Sequence, residues 1–384
     1  MYNYIFIMMF FGFIVIFFIK NNNIKKIFCY MIILLFWWVG GLAYKVGLDN
    51  YWYEHYYLRD LRFLKLSKET FEIGYVLINQ FFNNLNLNYY TFRGIIFFIE
   101  VILIYKGIKS FFKKKDEISW IFILLYSYGI FYFYYFSFIR QSIAISIIIY
   151  SLQYIYMKKK WKYLFWIIIA SLFHKSSIIF IGIYFLFFLF QKIKSFKFFL
   201  EKKEVLILGI ILLKILFITS IGKNMIYSFL EKIKIIIPRL SSYINFNQDN
   251  IIISIYDIIF ILILTIYLNK IKLKREEKFI VDYFLLIYIV YNLFINFSFF
   301  NRIRLYTDFL VFYNLLIVLN KYKIKNFLKV LCIILVFLQY NLKIQNGFLK
   351  EVLFPYNNYI IVIFKKVNLN ETQQYKYYRG IYFD

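Results

Sequence analysis

The chain has 384 residues, 62% of them hydrophobic and 25% aromatic, with a formal net charge of +27. Soluble domains are typically about 45–50% apolar, so a mean hydropathy of +0.66 excludes an ordinary soluble domain and makes lipid the main solvent. The positive charge does not point to nucleic acid, because the lysines gather in short blocks between apolar runs, as in membrane loops.

Crossing a bilayer core of roughly 30 Å takes about 20 apolar residues. Runs of this kind lie near 4–19, 27–44, 92–108, 118–136, 139–157, 161–174, 176–190, 204–221, 251–268, 279–297, 305–319 and 326–341. No small-residue cleavage site follows the first run, which is therefore read as a retained helix. Cys29 and Cys332 both lie in apolar segments and form neither a disulfide framework nor a metal site. The expected fold is an all-α polytopic membrane protein of about 12 transmembrane helices. It forms a single integral membrane domain over 1–384, with no soluble domain and no tandem repeat.

Lysine blocks stand at Lys20/Lys25/Lys26, 109–115, 158–162, 191–197 with 201–204, 269–278 and 321–325. They fall after every second predicted helix, as cytoplasmic loops should. This parity places both termini outside, with outer segments near 45–90 and 222–250 and an outer tail at 342–384. The arginines behave differently. Of nine, only Arg275 lies in a lysine block; Arg59, Arg62, Arg93, Arg140, Arg239, Arg302, Arg304 and Arg379 map to the outer side, as do His55 and His174. A guanidinium offers a planar fork suited to phosphate or carboxylate, so the outer face is expected to hold anions.

Taken in chain order, the outer segment Val46–Phe63 mixes Asp49, Glu54, Asp60, His55, Arg59 and Arg62 with Tyr51, Trp52, Tyr53, Tyr56 and Tyr57. Aromatic faces beside carboxylates suit sugars, and they equally suit a membrane-interface belt; Asp49, just after a glycine, favours the functional reading. The stretch 71–85 is amphipathic, too short to span, and expected to lie along the interface. Arg140 is the only charge among the forty residues Ile118–Met157. It either snorkels to headgroup phosphates or faces a cavity and binds an anionic ligand.

Trp161–Phe190 has lysine blocks on both sides, so it must be a hairpin. Its thirty residues give roughly 45 Å of helix where two full spans need about 60 Å. The apex His174-Lys175-Ser176-Ser177 is therefore expected below the outer surface, where polar groups are tolerated only facing protein or a watery cavity. A histidine there suits general-base chemistry on a hydroxyl. Further on, Arg302 and Arg304 open a helix with Asp308 one turn deeper; Arg304 and Asp308 could pair, which leaves Arg302 to other work. No Walker loop, HExxH, GxSxG or Cys/His metal spacing occurs, so an ATP-driven pump or zinc protease has no support.

Several of these stretches, in this order, resemble the EpsG-type branch of Wzy-like polysaccharide polymerases. They are GLDNYWYEHY (47–56), FEIGYVLINQF (71–81), FIRQSIAISI (138–147), IASLFHKSSIIF (169–180), NRIRLY (301–306) and LFPYNNY (353–359). The most specific part is RQ-x-x-A followed about thirty residues later by A-x-x-F-H-x-S. The resemblance implies a multi-pass enzyme of the bacterial inner membrane with its active site facing outward. Its substrate would be an undecaprenyl-diphosphate-linked oligosaccharide, polymerised by glycosyl transfer for surface polysaccharide (O-antigen, capsule or exopolysaccharide). The lipid bilayer would be its medium, flippase and chain-length regulator proteins its further partners, and nucleic acid would play no part.

On that implication Arg140, with Arg302 or Arg304, holds the diphosphate, and His174 takes the acceptor proton, with Asp49 the alternative base. Gln141 and Ser176 position ligand groups; Tyr53 and Trp52 stack on sugar. No cofactor or metal is required, although Asp49, Glu54 and Asp60 could hold a divalent cation. The alternatives are a lipid-linked oligosaccharide flippase, an O-antigen ligase using the same donor, and a membrane acyltransferase. A transporter should show polar residues along both halves of its path and an internal repeat. Neither is visible in the sequence, nor is an acyltransferase's acidic-histidine signature.

Overall fold

The computed structural model describes residues 2–47, 49–60, 71–127, 137–192, 265–293, 298–322, 326–345, 348–354 and 356–365, with a few isolated positions besides. It divides into two compact units, Met1–Ser177 with Ile324–Asp384, and Ile178–Lys323. Among the described residues both are built of helices, and the fold is all-α apart from one pair of two-residue strands.

The first unit begins with α1 (Tyr2–Phe18) and α2 (Asn22–Gly41). Asn21 caps α2, its side chain accepting from the backbone N–H of Asn23 at 2.8 Å, which satisfies a group that helix geometry orphans. Then come β1 (Ala43–Tyr44), α3 (Asn50–Tyr57), α4 (Ile73–Asn84), α5 (Tyr89–Phe111), α6 (Lys115–Ser127), α7 (Ile139–Tyr156) and α8 (Lys160–Phe173). A 3-10 turn over Lys175–Ile178 follows. The second unit holds α9 (Ile179–Lys192), α10 (Arg275–Leu293) and α11 (Ser298–Lys321), and the chain returns to the first with α12 (Asn326–Gln345), α13 (Phe348–Leu353), β2 (Asn357–Asn358) and α14 (Tyr359–Lys365).

A helix that is apolar all round must be covered all round. In the first unit α6 is such a helix: every residue from Ile118 to Ser127 is buried, among α1, α2, α5 and α12. Its Trp120 indole donates to Lys329 O at 3.3 Å, and its Tyr126 hydroxyl donates to Tyr2 O at 2.8 Å. Likewise α7 is buried almost throughout, held between α5 and α8. By contrast α8 buries Tyr163, Ile167 and Ala170 and leaves Trp161, Phe165, Ile168 and Leu172 exposed on the opposite face. An uncovered apolar stripe at helical spacing is what a lipid-facing helix presents.

The ends of the first unit differ in chemistry. At one end Lys115 from the second lysine block lies 5.4 Å over the ring of Tyr30, which follows the first block and meets Tyr105. At the other end β1 pairs antiparallel with β2, Ala43 opposite Asn358 and Tyr44 opposite Asn357. There too the Tyr57 hydroxyl donates to Leu87 O at 2.7 Å. Within the second unit, Lys321 meets Glu277 at 3.0 Å, which joins the lysine-rich ends of α10 and α11, and Phe187 of α9 packs on Phe279 and Tyr283 of α10.

A helix stands at each predicted span except 204–221 and 251–268, which lie largely outside the described residues. Among the described residues one helix, Asn22–Gly41, is long and apolar enough by itself to cross a bilayer. One reason is that α5, although 23 residues long, carries buried Arg93 and Glu100 along its length. The outer segment expected as a loop at 45–90 contains α3 and α4, because aromatic rings on both helices find partners there: Tyr53 with Tyr75, and Tyr56 with Phe71 at the start of α4. The predicted span 27–44 ends instead in a strand, since Ala43 and Tyr44 take up pairing with the late segment 357–358.

Candidate active site

Arg140 sits in the first turn of α7, behind the N-cap Phe138. A cation is misplaced there, because the N-terminal end of a helix carries partial positive charge. The structure supplies the anion. Glu72 is the N-cap of α4 but makes no side-chain cap bond; its Oε2 instead meets Arg140 Nη1 at 2.5 Å. The pair is largely sheltered, with 9% of the Glu72 side chain and 20% of the Arg140 side chain exposed. Arg140 Nε donates to the Tyr53 hydroxyl at 3.2 Å, and its guanidinium lies 4.5 Å from the centre of the Phe71 ring. Three of the segments singled out in the sequence thus converge on one guanidinium.

The second carboxylate oxygen of Glu72 reaches a fourth. Glu72 Oε1 accepts the backbone N–H of Lys175 at 3.3 Å, the first residue of the 3-10 turn, whose N–H has no partner within that turn. Immediately before it, His174 closes α8 in an extended conformation and is buried. Its Nδ1 lies 2.5 Å from Ser176 Oγ, and its carbonyl accepts from Ser177 N–H at 3.0 Å and from Ser177 Oγ at 2.9 Å. Glu72 is therefore the clip between Arg140 and the histidine apex. Close approach at this point depends on Gly74, where a Cβ would meet Leu172 O at 2.7 Å.

A second polar cluster lies on α3 and the start of α5. Buried Arg93 donates to Ala43 O at 3.1 Å and to Asn50 Oδ1 at 3.0 Å, and the Tyr89 hydroxyl donates to the same Asn50 oxygen at 2.9 Å. Glu54 accepts from the hydroxyls of Tyr90 and Tyr375. Burial pushes the Glu54 carboxyl above its usual range, against those hydrogen bonds. Burial likewise pulls the His55 imidazole below its usual value, although Asp60 lies 3.7 Å from its Nδ1. The Tyr53 phenol is held up by burial, pulled down by Arg140 and pushed up again by Asp49.

The predicted site residues fall as follows. Arg140, Tyr53, His174 and Ser176 belong to one connected arrangement, in which Ser176 is the ring partner of His174. Gln141 is buried beside Arg140 on α7. Asp49 precedes α3, its carbonyl accepting the Tyr53 N–H at 3.1 Å. Trp52 packs against Tyr51 and Tyr375, away on the second cluster. Arg302 and Arg304 are on α11 of the other unit, with side chains outside the described residues, and Arg62 and Arg239 lie outside them entirely. Among the described residues no group of three or more His, Cys, Asp or Glu is placed to hold a metal ion, so Asp49, Glu54 and Asp60 are not gathered.

Glu72 is absent from the sequence-based candidates, because the amphipathic pattern of 71–85 favours an interface helix. A signal was there: from Phe71 to Phe92 Glu72 is the only charged residue, as Arg140 is in its own run. Chemically, the arrangement offers a guanidinium for an anion, a carboxylate beside it, and an imidazole–hydroxyl pair able to move a proton.

A family model, that of the EpsG family, matches residues 26–358. The chain belongs to the EpsG family. The match opens inside α2 and closes at Asn358, whose strand partner is Ala43, so the EpsG region is closed on itself by the β1–β2 pair. It takes in Glu72, Arg140, His174 and Ser176. The EpsG family is associated with membranes and with polysaccharide polymerisation, a glycosyl-transfer type of activity. No curated protein and no solved structure matches the chain.

Proposed function

We propose that this EpsG-family protein polymerises oligosaccharide repeat units carried on undecaprenyl diphosphate, on the outer face of the bacterial inner membrane. The observation that carries the reading is the Arg140–Glu72–Lys175 connection, which sets an anion-binding guanidinium beside the His174–Ser176 apex inside the EpsG match. The multi-pass topology with outward termini, and the single membrane domain of about 12 spans, belong to the same proposal. Within the first unit, Lys115 meets Tyr30 in the first half of α2 while β1 follows the far end of that helix, which supports it.

In this reaction Arg140, joined by Arg302 or Arg304, binds the diphosphate of the donor. The bond between the sugar's anomeric carbon and the diphosphate oxygen breaks, and the departing oxygen keeps the electron pair. Fixed positive charge aimed at that oxygen lowers the barrier without reorganisation. The acceptor hydroxyl attacks from the opposite face, giving inversion, and its proton passes to His174. A histidine whose Nδ1–H is donated to Ser176 leaves Nε2 basic, which is the tautomer this role needs. Asp49 is the alternative base, Gln141 a ligand-positioning group, and Tyr53 and Trp52 sugar-stacking candidates. The activated donor makes ATP, cofactor and metal unnecessary.

Deleting the gene and inspecting surface polysaccharide tests the reading. A polymerase mutant displays single repeat units but no long polymer; lipid-linked units trapped on the cytoplasmic side would mean a flippase, and loss of display with free polymer would mean a ligase. Rescue with Arg140→Lys or His174→Ala should restore less than about one hundredth of the polymer-forming rate, the usual weight of a general base or a fixed anion contact. Full polymer from both variants would overturn the site.

A further inference from the structure

Arg140 does not wait with an empty fork: Glu72 Oε2 holds its Nη1 at 2.5 Å, while Glu72 Oε1 holds the Lys175 N–H at 3.3 Å. A carboxylate and a phosphate compete for the same guanidinium geometry. One residue therefore serves two neighbours at once, the guanidinium and the backbone next to His174. Because the two contacts use different oxygens, the first can be given up while the second is kept.

We propose that Glu72 is an exchangeable counter-ion for Arg140, a built-in anion that the incoming diphosphate displaces, and that its release reports donor binding to the His174 apex. This deepens the proposed role of Arg140 and rests on it. Before donor binds, the ion pair neutralises a cation on the wrong end of α7 and keeps Phe71 and Tyr53 stacked about it. When the diphosphate takes the guanidinium, the carboxylate turns wholly toward the turn Lys175–Ile178, one residue from His174. No covalent step is involved; one anion replaces another. Glu72 is thus a positioning residue, acting on the reaction through Arg140 and the apex.

The test uses full-length protein in detergent, with inorganic diphosphate as the probe and calorimetric titration as the readout. Glu72→Gln keeps a carbonyl for the Lys175 N–H and removes the competing charge. It should bind diphosphate about tenfold tighter than the wild type, the weight of one charge-assisted contact no longer given up. With lipid-linked donor, KM should fall by a similar factor while kcat also falls, a split that a merely structural residue would not give. Glu72→Asp, which keeps the charge and the fold but shortens the reach, should show a smaller gain of the same sign, and it carries the test if the Gln variant does not accumulate. Adding Arg140→Gln should abolish binding in either background. Unchanged or weaker binding in folded Glu72 variants, or binding that survives loss of Arg140, overturns the proposal. Polymer display by wild-type rescue of the deletion strain is scored separately, so a failed exchange leaves the polymerase reading standing, and the converse.

Discussion

At Arg140 and Glu72, two solitary charges in apolar runs find each other across 68 positions of sequence. Removing one partner of such a sheltered pair typically costs about 3 kcal/mol, since the other is left charged and under-solvated. Charge at the second cluster sets a pH dependence. The folded protein holds the His55 imidazole below its usual pKa, so below about 6.5 the unfolded chain takes up a proton that the folded one refuses. Stability contributed at His55 is therefore full above that pH and is lost as pH falls through it. Glu54 has the opposite sign: its raised folded pKa makes the folded state the better proton binder as pH falls toward the ordinary carboxylate range. Thermal unfolding in detergent at pH 7.5 and 5.5 separates them, because substitution isolates each group. His55→Asn should lessen the loss of stability on acidification, whereas Glu54→Gln should deepen it. A His55 variant with the wild-type pH slope would exclude the residue as a contributor.

Among the elements, α4 joins an exposed apolar stripe to the site and the apex. Ile73, Leu77, Phe81 and Leu85 form its exposed apolar stripe, while Gly74, Tyr75 and Asn79 face inward. That division matches a helix lying along the interface, and its buried edge is where Glu72 begins. Gly74 lets the backbone of α4 press on Leu172 at the end of α8. Gly74→Val should push α4 from α8, costing about 1–3 kcal/mol by overpacking. It should also lower polymer formation more than protein level, because the Glu72–Lys175 contact opens first. Normal polymer at normal expression would show that this approach is not required. Gly107 makes a similar approach to Ile149, but at the lysine-rich end, far from Arg140. Gly107→Val is thus expected to reduce protein level and polymer together.

For the whole molecule, the distribution of lysine and arginine predicts sidedness, and within each unit lysine blocks lie close together. The first two lysine blocks approach one another through Tyr30 and Tyr105, and the blocks flanking α10 and α11 meet at Glu277–Lys321. Scanning cysteines in a background lacking Cys29 and Cys332 tests the orientation. Leu58→Cys, at an exposed position after α3, should react with a membrane-impermeant thiol reagent in intact cells. Lys159→Cys, in the third block, should react only after lysis. The reverse pattern would invert the topology and place Arg140 and His174 on the wrong side for an outer-leaflet donor.

The sequence by itself determined the class and the main elements. Composition demands lipid, and a run as apolar as Ile118–Tyr126 must be helical and covered by protein or lipid whatever its neighbours. It also marked Arg140 and His174, because a permanent charge and a polar apex in apolar surroundings are costly wherever they lie. Tertiary structure decided what those groups touch. Glu72 is a lone acid before an amphipathic helix, and no local periodicity says that it faces Arg140 and Lys175. The strand pair joining Ala43 to Asn358 and the hydroxyls of Tyr90 and Tyr375 on Glu54 are equally long-range. Such contacts are settled by which helices pack together, and packing is a property of the folded surface as a whole, which explains why the solitary charges were legible and their pairing was not.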